Sequence, residues 1–223
     1  MTRIEIDTVF SEYYPPESPV RKTINLMDEQ FLGTENMEIL LETKTEGSFR
    51  DPEMLHALES IKTWLEMRYP ELVTYNWTMN NQLKQTHKKL IGSDEEAYKI
   101  PESTELISQL LLLIEGGDYE DLERTVSIDY ANARMSVSLK TIGSKKSVEL
   151  INVVQPELER IIAPMKKRYP SLKITVTGRV GAWARVFDAI SWSQIRSFGI
   201  AFLIISLIIV GIFGSLRLGL VSV

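Results

Sequence analysis

Apolar residues recur along this chain in three rhythms, and each rhythm predicts a different kind of element. From 197 to 216 the sequence SFGIAFLIISLIIVGIFGSL carries no charged residue and is bracketed by Arg196 and Arg217. At about 1.5 Å per residue such a run covers roughly 30 Å as a helix, the thickness of a bilayer's hydrocarbon core, so it predicts a transmembrane helix. Upstream the period changes to that of an amphipathic helix. Ile24, Met27 and Phe31 share one face, and Gly33 supplies a stop. Asp51 and Pro52 offer an N-cap and a first-turn proline to a helix whose apolar face is Leu58, Ile61 and Leu65 and which ends before Pro70. The run LISQLLLLIE within 103–115 is too short to span and is followed by Gly116-Gly117, so it predicts a buried helix.

The third rhythm is that of strands. Segments 37–46 and 72–78 are rich in β-formers, 133–141 sets Met135, Val137 and Leu139 on one face, and 172–177 (LKITVT) follows. Taken in order, these elements make two β-α-β units, with Ser144 as the expected cap of the second unit's helix. The joint between helix and return strand is nearly duplicated: Arg68-Tyr69-Pro70-Glu71-Leu72 recurs as Arg168-Tyr169-Pro170-Ser171-Leu172, one hundred residues later. An internal structural duplication is therefore expected, with Pro156 and Pro164 kinking or splitting the second helix. Residues 178–196 lead toward the apolar run, and Trp192 suits either a bilayer interface or a core.

Composition narrows the function classes. The 223 residues are 44% apolar and 25% charged, and 30 acidic against 25 basic residues leave a net charge of -5 with no basic block in the part before the apolar run. That balance argues against nucleic acid as a partner. Without cysteine there is no disulfide, thiol nucleophile or thiolate metal site, although this does not fix the compartment. The N-terminal segment MTRIEIDTVFSEYYPPESP has no apolar core of signal-peptide length, so no export signal is expected in it.

Candidate chemistry is sparse. His56 and His87 lack a second histidine or a carboxylate at ligand spacing and read as surface histidines. Gly178-Arg179-Val180-Gly181 is neither a dinucleotide fingerprint nor a phosphate loop. The acidic groups Asp94-Glu95-Glu96 and Glu120-Asp121 read as solvated carboxylates, and the glycosylation triplet Asn76-Trp77-Thr78 lies on a predicted strand and reads as a chance match. No catalytic, cofactor-binding or metal-ligating residue is expected, and no enzyme signature emerges. Substrate-contacting residues are not legible. Within the apolar run, Gly211 and Ser215 form a small-xxx-small pair, supported by Gly199 and Ala201, which is expected to admit a second helix.

The order of short segments carries a resemblance. They are Tyr14-Pro15-Pro16-Glu17-Ser18-Pro19-Val20; Phe31-Leu32-Gly33 before the first strand; Asp51-Pro52-Glu53 opening a helix; Tyr98-Lys99-Ile100-Pro101; Ala133-Arg134-Met135; Val176-Thr177-Gly178; and Phe213-Gly214-Ser215-Leu216-Arg217. In that order the chain resembles the first extracytoplasmic loop and second transmembrane helix of RND-superfamily exporters, in the MMPL-like or hydrophobe/amphiphile efflux-3 branch. The resemblance implies an α+β fold of two ferredoxin-like β-α-β porter subdomains followed by one transmembrane helix, divided as 1–100, 101–188 and 189–223. It implies a fragment of a proton-driven exporter of lipids or other hydrophobic or amphiphilic molecules. The proton-relay groups, the remaining helices and the second porter loop would lie elsewhere in a parent transporter. Expected partners are membrane lipid, the substrate and those missing parts, and the large domain is expected to be extracytoplasmic at the cell membrane. The alternative is a free-standing, single-pass, membrane-anchored binding or adaptor protein, with an unrecognised membrane-anchored hydrolase as a third reading.

Overall fold

The computed structural model describes residues 9–92, 97–117 and 119–213. Residues as far as Trp183 belong to one compact unit and those from Ala184 onward to a second.

The first unit is α+β. A 3-10 turn at Phe10–Tyr13 precedes α1 (Pro19–Gln30), which is capped by Ser18, whose Oγ accepts from Arg21 N–H. Strand β1 (Glu35–Glu42), a 3-10 turn (Ser48–Arg50), α2 (Pro52–Arg68) and β2 (Val73–Trp77) follow. Next come α3 (Met79–Ile91), α4 (Thr104–Glu115) and the short α5 (Tyr119–Glu123), then β3 (Asn132–Leu139), α6 (Ser144–Ile162), a 3-10 turn (Ala163–Lys167) and β4 (Lys173–Thr177). Helix α7 spans Gly178–Phe213.

The cap at α2 is the expected one, where the Asp51 carboxylate accepts from Glu53 N–H; at α4 Ser103 Oγ accepts from Leu106 N–H. At α6 the expected cap, Ser144, is instead the first helical residue; the cap position is Gly143, which has no side chain to accept from the helix. Pro156 does not split α6. Asn152, whose carbonyl a proline at this position leaves without its helical N–H, lies like Pro156 on the exposed side, where water can satisfy it. The change of helix type comes at Ile162, ahead of Pro164.

All four strands enter one sheet in the order β2-β3-β1-β4, and every neighbouring pair is antiparallel. Central β1 pairs with β3 from Glu35↔Leu139 to Glu42↔Asn132 and with β4 from Glu38↔Thr177 to Glu42↔Lys173. The two strands of each β-α-β unit are thus separated by a strand of the other, a double-split β-α-β topology. The expected pair of ferredoxin-like subdomains is not confirmed, because one sheet takes its strands alternately from both units.

Alternation along the strands decides what each face does. Met37, Ile39 and Leu41 of β1, Met135, Val137 and Leu139 of β3, and Ile174 and Val176 of β4 are buried on one face. They join Leu55, Leu58, Ile61 and Leu65 of α2 and Leu150, Val154, Leu158 and Ile162 of α6 in a single core. The other face is mixed, carrying Glu38, Ser136, Ser138, Thr175 and Thr177 together with Leu40 and, on β2, Tyr75 and Trp77.

The repeated joints match in hydrogen bonding. Tyr69 N–H donates to Leu65 O at 3.0 Å and Leu72 N–H to Tyr69 O at 3.1 Å; the equivalent bonds of Tyr169 to Met165 and of Leu172 to Tyr169 are 2.8 and 2.9 Å. Each joint opens a strand, at Val73 and at Lys173. Their tyrosines diverge. Tyr69 meets Trp64 edge-on with ring centroids 6.0 Å apart, whereas Tyr169 donates its hydroxyl to Asp51 at 2.8 Å.

In the second unit α7 is the one element described. Its window Trp192–Ile209 has mean hydropathy 1.7 and none of it is buried, so this helix is long and apolar enough to cross a membrane. Trp192 is exposed, as are Phe198, Phe202 and Leu207.

Candidate functional site

The sequence pattern assigns no element to 79–91, where QLKQTHKKL (82–90) reads as a polar stretch, and so passes over helix α3 and the surface beside it. Helix α3 (MNNQLKQTHKKLI) lacks an apolar stripe of ordinary width, yet Met79, Asn80, Asn81, Gln82, Leu83, Lys84 and His87 are buried. Its start is secured by a capping box: Asn80 N–H donates to Thr78 Oγ1 at 3.1 Å, and Thr78 N–H donates to Asn81 Oδ1 at 3.0 Å. That Thr-x-x-Asn spacing is the signal in the sequence that marks the helix.

Burial of so polar a helix requires partners for its polar groups. Lys84, only 6% exposed, donates to Glu59 Oε1 on α2 at 2.6 Å, and its Nζ stands 4.9 Å from the centroid of the Tyr98 ring. Asn80 Nδ2 donates to Leu55 O at 2.8 Å and to Glu59 Oε2 at 3.2 Å. Burial on its own pushes the Glu59 carboxyl upward, but the hydrogen bond and charge of Lys84, joined by Asn80 and Lys62, outweigh it and hold the group below the usual carboxylate range.

Beside this network lies a groove of about 680 Å³ between β2 and α3. Tyr75 and Trp77 stand two residues apart on β2 and so emerge on the same side of the strand. Their rings stack with centroids 6.0 Å apart and planes 19° from parallel. Asn81, Gln85, Lys88 and Lys89 line the groove from one side of α3, and Gly92 and Tyr98 complete it. Burial, and secondarily the neighbouring Tyr98, pushes the Tyr75 hydroxyl above its ordinary value, so it stays protonated at neutral pH. Among the described residues, three aromatic rings, two amides and two lysines therefore meet in one concavity; Asp94-Glu95-Glu96, between Gly92 and Tyr98, lies outside the described residues. A second concavity of about 550 Å³ runs from His87 and Ile91 to Glu102 and Leu106, and a third of about 360 Å³ lies beside Glu42 and Arg134.

The two histidines part company. His56 is exposed and meets Glu102 at 3.1 Å, as a surface histidine should. His87 is not on the surface: it is 3% exposed, and its Nδ1 pairs with Ala97 O at 3.0 Å, because the helix that carries it packs against α4. Asn76 of the glycosylation triplet is 2% exposed and donates to Glu66, which places it in the folded interior. Among the described residues, no three of His, Cys, Asp and Glu cluster to hold a metal ion. Gly211 lies on α7 with no atom within 4 Å of where a Cβ would stand, so its side is open to a second helix; Ser215 lies outside the described residues.

No family model and no curated protein matches the chain.

Proposed function

We propose that the chain forms part of a proton-driven RND-type exporter of lipids or other hydrophobic or amphiphilic molecules and supplies a stretch of the extracytoplasmic substrate path. The observation that carries this reading is the pairing of an α+β unit of double-split topology with a helix whose apolar window, Trp192–Ile209, is entirely unburied. The strand order is what supports a ferredoxin-like porter fold here, as one subdomain with interleaved halves. The remaining helices and the second porter loop are assigned to the parent transporter, and the first unit to the extracytoplasmic side.

Coupling to protons needs a group within the membrane that changes its charge. From 197 to 213, α7 holds only apolar residues, glycine and serine. The chain reconstituted alone in vesicles is therefore expected to show no lipid flux driven by a pH gradient, with flux appearing only when the missing helices are supplied. Gradient-dependent flux by this chain alone would overturn the reading. Ile205→Arg, near the middle of the apolar run, should cost about 2.5–3.5 kcal/mol of insertion and lower the membrane-integrated fraction. A second reading, a single-pass membrane-anchored binding or adaptor protein, is favoured by one observation: the aromatic groove lies wholly within the first unit.

A further inference from the structure

We infer that the outer edge of β4 is a strand-docking edge held closed by the side chain of Gln155, and that a second copy of this chain pairs with it through its own β4 once that side chain is removed. The inference goes beyond the exporter reading and does not rest on it. Partners of the first unit then have to dock elsewhere than on β4.

Strand β4 lies at one end of the sheet, and among the described strands it pairs with β1 alone. Along an antiparallel edge strand alternate residues turn their N–H and carbonyl toward the neighbour, and those between turn them outward. At Ile174 and Val176 the outward groups are met by one side chain. Gln155, half-buried on α6, donates from Nε2 to Ile174 O at 3.0 Å, and its Oε1 accepts from Val176 N–H at 3.0 Å. These are the two bonds that one residue of a parallel strand would make, so the amide stands where a fifth strand's peptide groups would stand. Val176 has a single N–H, and while Gln155 holds it no other segment can form a ladder onto β4 at that point.

The sequence of β4 makes an open edge a liability. In Lys173-Ile174-Thr175-Val176-Thr177 every residue after the lysine is β-branched and there is no proline, a composition that favours pairing with another strand. A second β4 laid antiparallel along the first would set Ile174 opposite Val176, each pair exchanging both N–H···O bonds, and Thr175 opposite Thr175. That pairing is two-fold and closed, so it gives a dimer and not a fibre, and the same chain supplies both strands. The internal duplication does not supply the guard: one hundred residues before Gln155 stands Leu55, buried in the core. The amide is thus particular to α6, the helix beside β4.

The test uses the whole chain in dodecyl maltoside micelles, where any pairing through α7 is common to all variants. Gln155→Leu keeps the bulk of the side chain and removes both bonds. It is expected to raise the dimer fraction in sedimentation velocity and, diluted below that association, to speed exchange of the Val176 amide hydrogen about tenfold, as loss of one protecting hydrogen bond should. Because the chain has no cysteine, Thr175→Cys reports the pairing directly. Opposed residues of a non-hydrogen-bonded pair lie about 4.5 Å apart at Cα, within disulfide reach, so oxidised dimer should form when Thr175→Cys is combined with Gln155→Leu and not when Gln155 is intact. Ile128→Cys, 76% exposed in the turn before β3, should cross-link to the same extent in both backgrounds. Circular dichroism monitors folding; if Gln155→Leu unfolds, Gln155→Glu carries the test, since it still accepts from Val176 N–H but, ionised, cannot donate to Ile174 O, and it should cross-link through Thr175→Cys more than the native glutamine. A leucine variant that sediments as the native chain does, unchanged exchange at Val176, or Thr175→Cys dimer forming as readily with Gln155 intact would each overturn the inference. No flux is read in these measurements, so the inference and the exporter reading fail separately.

Discussion

Two glycines with similar backbone angles should respond differently to the same change. Gly33 has φ +83 and Gly47 φ +75, and in that left-handed region any other residue costs about 1–2 kcal/mol. Around Gly47 there is open space, whereas a Cβ on Gly33 would fall well inside contact distance of the Leu139 carbonyl oxygen at the end of β3. Gly47→Ala is therefore expected to cost about 1 kcal/mol and Gly33→Ala at least about twice that, read as thermal unfolding of the chain; equal losses would show that the approach to β3 relaxes freely. The Glu59–Lys84 pair gives a pH-dependent prediction. A carboxyl held low when folded contributes stability above its unfolded value near 4.5, and loses it as pH falls through the folded value. Breaking a fully buried pair costs about 3–5 kcal/mol, but the Glu59 side chain is 27% exposed, so Lys84→Met should cost about 1–3 kcal/mol at neutral pH. That penalty should shrink toward pH 3, and a penalty constant from pH 7 to 3 would refute the assignment. Neither effect is legible in sequence, since a polar stretch does not announce which of its lysines is buried.

At the scale of elements, periodicity was a sound guide wherever one face of the element meets the core. The alternation of Met135, Val137 and Leu139 and the helical spacing of Leu58, Ile61 and Leu65 all correspond to buried positions. It failed for α3, whose burial rests on hydrogen bonds and an ion pair supplied by α2, by Thr78 after β2 and by the Ala97 carbonyl, with the Tyr98 ring beside Lys84. Proline misled in α6 for a related reason, because the consequence of a missing N–H depends on whether the orphaned carbonyl can reach water. If Pro156 is tolerated only through the solvation of its exposed side, Pro156→Ala should stabilise the chain by about 2 kcal/mol, the helix-propensity gain of about 3 less about 1 returned to the unfolded ensemble. A loss of stability on that substitution would mean that α6 needs the proline's shape.

For the whole molecule the sheet order is decisive. Residues 1–100 contain β1 and β2, and 101–183 contain β3 and β4, yet in the order β2-β3-β1-β4 neither pair is adjacent. Neither fragment can form a strand ladder of the native sheet by itself. Each should lack cooperative unfolding alone, and mixing the two should restore the β-sheet signal in circular dichroism; an independently folded 1–100 would contradict the interleaved sheet. The sequence by itself determined the local grammar: the strands, the duplicated Arg-Tyr-Pro joints, the capped start of α2, the buried helix α4, and an apolar helix long enough for a bilayer. These follow from periodicity and backbone stereochemistry, which act over a few residues. Only tertiary structure decided that the two β-α-β units share a sheet, that His87 and Lys84 are buried, and that Tyr75, Trp77, Lys88, Lys89 and Tyr98 surround one groove. Those facts depend on which strand pairs with which and on partners distant in sequence, Glu59 with Lys84 and β1 with both β3 and β4, and no local pattern encodes a choice among such pairings.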